Sequence, residues 1–137
     1  MPDSVNPLAV VVPCFNDWYC LSILIHEFEQ SSRFLGIERL VVVNDASTDS
    51  GFLDDELLTS LSFQVEIINL RTNMGHQFAI ATGLRHLLST GWTGSTIVMD
   101  SDGEDDPSSI KILQSSLEQN PSNIVVASRG KRFNSWT

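Results

Sequence analysis

Five short apolar runs, each separated from the next by a stretch of helical spacing, constrain this chain more than any other feature. Runs at 8–12, 38–43, 63–70, 96–99 and 123–127 are dominated by Val, Ile and Leu. Runs of this length and composition are expected of strands buried on both faces. Between the first two, Leu21, Leu24, Ile25 and Phe28 repeat at i, i+3, i+4 and i+7, the signature of a helix. Leu53, Leu57, Leu58 and Leu61 mark a second helix. Ile80, Leu84, Leu87 and Leu88 put one apolar face on a third, and Ile110, Leu113 and Leu117 mark a fourth. Pro13 predicts the end of the first strand. Asp17 is placed to cap the first helix and Gly36 to end it. Asp54, Asp55 and Glu56 suit the first turns of the second helix, where the dipole favours acids. Asn120-Pro121-Ser122 should end the fourth.

The order βαβαβαβαβ predicts an α/β fold: a mainly parallel sheet with right-handed crossovers, flanked by helices. In such sheets ligands bind beyond the carboxyl ends of the strands. A polar cluster follows each of the five predicted strands: Asn16-Asp17, Asn44-Asp45, residues 71–76, residues 100–104 and Ser128-Arg129. That edge is the expected site. The length of 137 residues suits one domain, 1–137, with no repeat, linker or low-complexity stretch. The tail 130–137 carries no assignable pattern.

The densest cluster follows the fourth strand. Asp100, Asp102, Glu104, Asp105 and Asp106 are five of the seventeen acids in the chain. Such crowding repels itself unless a cation or bulk water neutralises it. In an extended chain alternate side chains point the same way, so Asp100, Asp102 and Glu104 would present oxygens to one point. Hard cations such as Mg2+ and Mn2+ take oxygen ligands and share them with substrate phosphates. A calcium loop of the helix-loop-helix kind needs Gly at its sixth position and Glu at its twelfth. Counting from Asp100, those positions hold Asp105 and Lys111, which excludes it. A solvated turn capping the next helix is the other reading: Asp106 followed by Pro107 is a good N-cap and first-turn pair. From the residues alone both readings stand.

Charge narrows the partners. The net charge is −9 and the pI about 4.5, so a nucleic-acid partner, which requires a basic face, is not expected. Three of the eight basic residues, Arg129, Lys131 and Arg132, lie near the C-terminus, where they meet phosphate, an anionic membrane surface or only solvent. Cys14 and Cys20 form no C-x-x-C pattern, and a reduced, cytoplasmic setting is expected, with the inner face of a membrane as the alternative. Residues 1–7 lack the features of a signal peptide, and no segment is apolar for the roughly 18 residues a transmembrane helix needs.

A dinucleotide fold would show G-x-G-x-x-G after the first strand; Pro13-Cys14-Phe15-Asn16-Asp17 stands there instead, and no Walker A loop occurs. Phosphate must be held by something other than a glycine cradle, and a metal held by the acids would do it.

Four segments then resemble one family. They are Val11-Val12-Pro13-Cys14-Phe15-Asn16-Asp17, Val42-Val43-Asn44-Asp45-Ala46-Ser47-Thr48-Asp49, Asn73-Met74-Gly75-His76 and Met99-Asp100-Ser101-Asp102-Gly103-Glu104. In order and spacing they resemble glycosyltransferase family 2, with its GT-A fold, most closely the branch of dolichol- or polyprenyl-phosphate sugar synthases. The match runs over 8–129 and covers the donor-binding half of the family's domain.

The resemblance implies roles. Pro13, Phe15 and Asp17 fall where family members wrap the base and ribose, and Asp45 matches an acid that contacts the base. The family's Asp-Asp pair is Asn44-Asp45 here, a neutral amide replacing the first acid. Arg71 lies where a basic residue approaches the nucleotide; a plain surface arginine is the alternative. Gly75 and His76 open the third helix, where backbone N–H groups face an anion; His76 alone suits a cap or a surface position as well. Asp100 and Asp102 match the D-x-D motif that binds Mg2+ or Mn2+ and the nucleotide. Glu104 replaces a glutamine of the polyprenol branch, and Arg129 resembles an arginine near phosphate groups.

The implied function is inverting, metal-assisted sugar transfer from a UDP- or GDP-linked donor to a polyprenyl or dolichyl phosphate or a glycan. A hydroxyl acceptor requires a catalytic base, and none is assignable: after Asp106 the only acid is Glu118. The chain resembles a domain truncated on its C-terminal side, whose unpaired sheet edge invites a second copy or a partner chain. A catalytically silent nucleotide-binding fragment, or an interaction module acting through that edge, is the alternative function.

Overall fold

The computed structural model describes residues 6–49, 51, 53–122 and 124–127. The chain divides into two compact units, Met1–Pro107 and Ser108–Thr137. In the first, four strands and three helices alternate: β1 (Leu8–Cys14), α1 (Trp18–Leu35), β2 (Ile37–Asn44), α2 (Asp55–Thr59), β3 (Gln64–Asn69), α3 (His76–Ser89) and β4 (Ser95–Val98). All pairings are parallel and the strand order is β3-β2-β1-β4. The second unit carries α4 (Ser109–Gln119), with Ile110 buried and Ile112 exposed.

The apolar runs lie where their composition demands. Every residue of β1 is buried, and Leu40, Val41, Val42 and Val43 of β2 are fully buried. Alternation divides them between two faces. Ala9, Val11, Val41 and Val43 form one cluster with Ala79 and Leu87 of α3. Val10, Val12, Leu40 and Val42 point the other way, and α1 also contacts β1 and β2. Both faces of the two central strands are therefore covered, which is why these strands read as unbroken apolar runs. Leu21, Leu24, Ile25 and Phe28 are the buried stripe of α1, and Gly36 ends that helix in the left-handed region, φ 72°.

Pro13 does not stop β1, which runs on to Cys14. The Cys14 carbonyl accepts from Asp45 N at 2.9 Å, so Cys14 faces β2 and Pro13 faces β4. Met99 N donates to Val11 O at 3.0 Å, and the next rung would need an N–H from Pro13, so the β1–β4 pairing ends at Val11↔Val98 while β1 runs on against β2.

The third helix buries a different row from the one the leucines suggest. Ala79, Gly83 and Leu87 face the sheet, while Leu84 and Leu88 are 40% and 79% exposed. Gly83 explains this: a Cβ there would stand 2.5 Å from Val11 Cγ1 and 3.1 Å from Val43 Cγ2. The helix lies too close to the strands for a leucine row.

Other expectations change at element ends. The second helix spans only Asp55–Thr59, capped by Asp54, whose carboxylate accepts from Glu56 N at 2.9 Å. Asp17 occupies the N-cap position of α1 but makes no side-chain cap bond. The N-cap of α4 is Ser108, so Asp106-Pro107 precedes the helix and does not open it. The fifth strand expected at 123–127 is absent from the described residues 124–127, and Ile124 and Val126 are 92% and 80% exposed.

Candidate functional site at the carboxyl ends of the strands

The strand order reverses beside β1: β2 and β3 lie to one side, and α3 carries the chain back to place β4 on the other. In open parallel sheets the crevice at such a reversal, beyond the carboxyl ends, is where ligands bind. A cavity of about 270 Å³ opens there. Pro13, Cys14, Phe15 and Asp17 line it from the end of β1 and the turn beyond, and Asp45 from the end of β2. Asn73, Gly75, His76 and Ala79 come from the loop after β3 and from α3, and Asp100, Ser101 and Asp102 from the end of β4. The four polar segments recognised in the sequence thus meet at one place.

Local hydrogen bonds hold the rim. Asn16, at φ 60°, adopts the left-handed region that Asn tolerates better than most residues. Its Oδ1 accepts from Thr48 N at 2.8 Å and Asp49 N at 3.1 Å, and its own N–H donates to Ser47 Oγ at 3.0 Å. The loops after β1 and β2 are thereby clasped together. Asp45 is 4% exposed, and its two oxygens accept from Met74 N at 2.7 Å and Gly75 N at 3.0 Å. Gly75, at φ 95°, supplies a backbone conformation strained for any other residue just before α3 begins.

The neutral Asn44 has a partner that an acid would lack. Its Nδ2 donates to Asn69 Oδ1 at 2.9 Å, and its Oδ1 accepts from Ser47 N at 3.0 Å. A carboxylate has no donor for Asn69 Oδ1.

The acidic segment does not stay extended. It bends directly after Asp100, burying Ser101 and reaching φ 82° at Gly103. Asp102 Oδ1 accepts from Glu104 N at 3.0 Å, a local turn that replaces the alternation expected of a strand. Asp100 and Asp102 both line the cavity; Glu104 does not. Asp100 Oδ1 is 2.6 Å from His76 Nε2, and Asp100 N donates to Asp105 Oδ2 at 3.1 Å. Among the described residues Asp100 Oδ2 and Asp102 Oδ2 carry no hydrogen bond.

Of the other candidates, Asp17 is reached by Ser101 Oγ at 3.4 Å, leaving its carboxylate at the cavity and not at a helix cap. Phe15 is 43% exposed on the rim. Arg71 is exposed and does not line the cavity, and Arg129 lies outside the described residues. Ser101 and Asn73 stand inside the quoted segments without an assigned role, and Ala79 was not singled out in the sequence. Burial pushes the Cys14 thiol above its ordinary pKa, so it is no thiolate nucleophile at neutral pH.

A divalent cation fits this donor set. Among the described residues no three His, Cys, Asp or Glu side chains gather to hold an ion by themselves. Two carboxylates with an unengaged oxygen each suit a hard cation that draws its remaining ligands from a phosphate and water.

Comparison with known proteins identifies the family and the fold. The family described as Glycosyl transferase family 2 matches residues 9–137. The chain belongs to glycosyltransferase family 2. A protein of Mycobacterium tuberculosis (strain CDC 1551 / Oshkosh) named among glycosyltransferases is 29% identical over 98 residues, which are 71% of this chain and 27% of that protein. Among solved structures, S. aureus TarS 1–349 matches with a TM-score of 0.59 at 21% identity, over 82% of this chain and 32% of TarS. The mannosyltransferase PcManGT of Pyrobaculum calidifontis, solved with GDP-Man and Mn2+, matches with a TM-score of 0.53 at 23% identity, over 74% of this chain and 29% of that one. The fold is GT-A-like, and the chain spans roughly a third or less of the length of each of these relatives. No described helix is long and apolar enough to cross a membrane.

Proposed function

We propose that this family 2 domain binds the nucleoside diphosphate of a UDP- or GDP-linked sugar in the strand-end cavity and presents it for transfer of a hexosyl group. The observation that carries this is the meeting of Asp100 and Asp102, each with an unengaged oxygen, with Phe15 and Asp17 in one cavity at the sheet's reversal point. Phe15 offers an exposed ring face to a base, and Asp17 a carboxylate able to accept from ribose hydroxyls. Asp100 and Asp102 would hold Mg2+ or Mn2+, and this ion, when bound, neutralises the diphosphate leaving group. Solved relatives support the ligand class: PcManGT carries GDP-Man and Mn2+, and another TarS structure carries UDP.

The acceptor we favour is a polyprenyl or dolichyl phosphate, with inversion at the anomeric carbon. A phosphate is already ionised at neutral pH, so attack on the sugar needs no proton acceptor from this chain. A glycan hydroxyl would need one.

The test is titration calorimetry with UDP and GDP, with and without Mn2+, followed by an assay of sugar transfer to a polyprenyl phosphate. Nucleotide binding strengthened by Mn2+ is expected. Asp102→Asn should abolish the Mn2+-dependent gain while leaving the thermal midpoint unchanged. Absence of nucleotide binding would overturn the proposal. Binding of equal strength in Asp102→Asn would remove the metal from it.

A further inference from the structure

We propose that His76 is a positioning residue, holding one oxygen of Asp100 so that the other is presented to the ligand. The assignment rests on the donor-binding function proposed above. His76 is the first residue of α3, and its Nε2 lies 2.6 Å from Asp100 Oδ1. An ionised carboxylate only accepts, so Nε2 carries the hydrogen and donates. Asp105 Oδ2 takes the backbone N–H of Asp100 at 3.1 Å. Asp100 is thus fixed from two sides, and Oδ2 is left without a hydrogen bond among the described residues.

The placement of the imidazole is itself built. Asp45, almost fully buried at the end of β2, accepts from the N–H groups of Met74 and Gly75. Gly75 turns the chain at φ 95° and α3 begins at the next residue. A buried carboxylate at one strand end therefore sets where His76 stands, and His76 sets the orientation of a carboxylate at another. Stability does not account for the pair. The His76 side chain is 59% exposed and that of Asp100 34%, and exposed pairs contribute little to folding. Orientation does account for it: partners that hydrogen-bond a ligating side chain fix its direction and strengthen the site. Neither a cap nor a plain surface position, the readings the sequence offers for His76 alone, accounts for its 2.6 Å contact with Asp100.

The experiment compares the unaltered chain with His76→Ala and His76→Gln by calorimetry, using UDP and GDP as probes with and without Mn2+. His76→Ala should weaken the Mn2+-dependent affinity by about 10- to 100-fold, well beyond any change in the metal-free affinity, with the thermal midpoint unchanged. His76→Gln, whose amide N–H can reach the same acceptor, should restore most of the loss. Equal affinity in His76→Ala would overturn the assignment and leave the donor-binding function standing. A loss of the same size with and without Mn2+ would reduce His76 to a structural residue and overturn it as well. Nucleotide binding with no Mn2+ dependence in the unaltered chain would overturn the assignment and remove the metal from the donor-binding function; absence of nucleotide binding would overturn both.

Discussion

Asp45 is the residue on which the rim turns. A buried carboxylate is costly unless it is hydrogen-bonded, and here both oxygens are occupied by the N–H groups of Met74 and Gly75. Hydrogen bonds to charged groups contribute about 1.5–3 kcal/mol each to stability. Asp45→Ala removes both and leaves two donors facing a void. The expected result is a loss of about 3–6 kcal/mol in unfolding free energy, read from urea denaturation, together with weaker nucleotide binding as the loop before α3 loosens. A variant as stable as the unaltered chain would mean that Met74 and Gly75 find other acceptors. The same residue scale shows what a motif match hides. Asn44 keeps its place in the pattern yet works as an amide, bridging β2 to Asn69 at the end of β3.

At the scale of elements, the approach of α3 to the sheet positions His76 and the cavity wall. Gly83 permits it, since Val11 and Val43 occupy the space a Cβ would need. Gly83→Ala gains about 1 kcal/mol of helix propensity but overpacks a buried site, at a cost of about 1–3 kcal/mol. Val11 is β-branched and fully buried, so it cannot swing aside. A net loss of about 1 kcal/mol is expected in urea denaturation; a stabilised variant would show that the helix can lift without harm. The apolar periodicity of this helix was legible, but its buried row was not. Leucines signalled a face, while alanine and glycine made the contact, because distance to the sheet decides which side chains fit.

At the scale of the whole first unit, one polar network ties β2, β3 and α3 together away from the site. Arg39 donates to Glu66 through Nε at 2.8 Å and to Thr90 Oγ1 through Nη1 at 2.7 Å, and lies over the Trp92 ring at 5.7 Å. His86 bonds the other oxygen of Glu66. Burial alone would raise the pKa of Glu66, but the hydrogen bonds from His86 and Arg39 outweigh it and hold the carboxyl below its ordinary value. A depressed folded pKa means stability that is complete above the ordinary carboxylate range and lost as pH falls through the folded value. The difference in unfolding free energy between the unaltered chain and Glu66→Gln should therefore be largest near neutral pH and shrink on acidification below about pH 4. A constant difference across that range would show that Glu66 is held no more strongly than in the unfolded chain.

Alternation of apolar runs with helical spacing, by itself, determined a parallel α/β sheet and the edge on which its candidate site lies. The reason is that two-sided burial of a strand demands continuous apolar sequence, which no other arrangement of these residues satisfies as well. The motif positions were equally legible, since residues that follow successive parallel strands share one edge. Tertiary structure alone decided which of them meet. Strand order placed β4 beside β1, and that brought Asp100 and Asp102 to Phe15 and Asp17. A turn after Asp100 removed Glu104 from the cavity, and a loop pinned by Asp45 delivered His76 to Asp100. Apart from that local turn, these contacts span 24 to 84 residues of sequence. No local propensity encodes them; they exist only once the core has fixed where each strand ends.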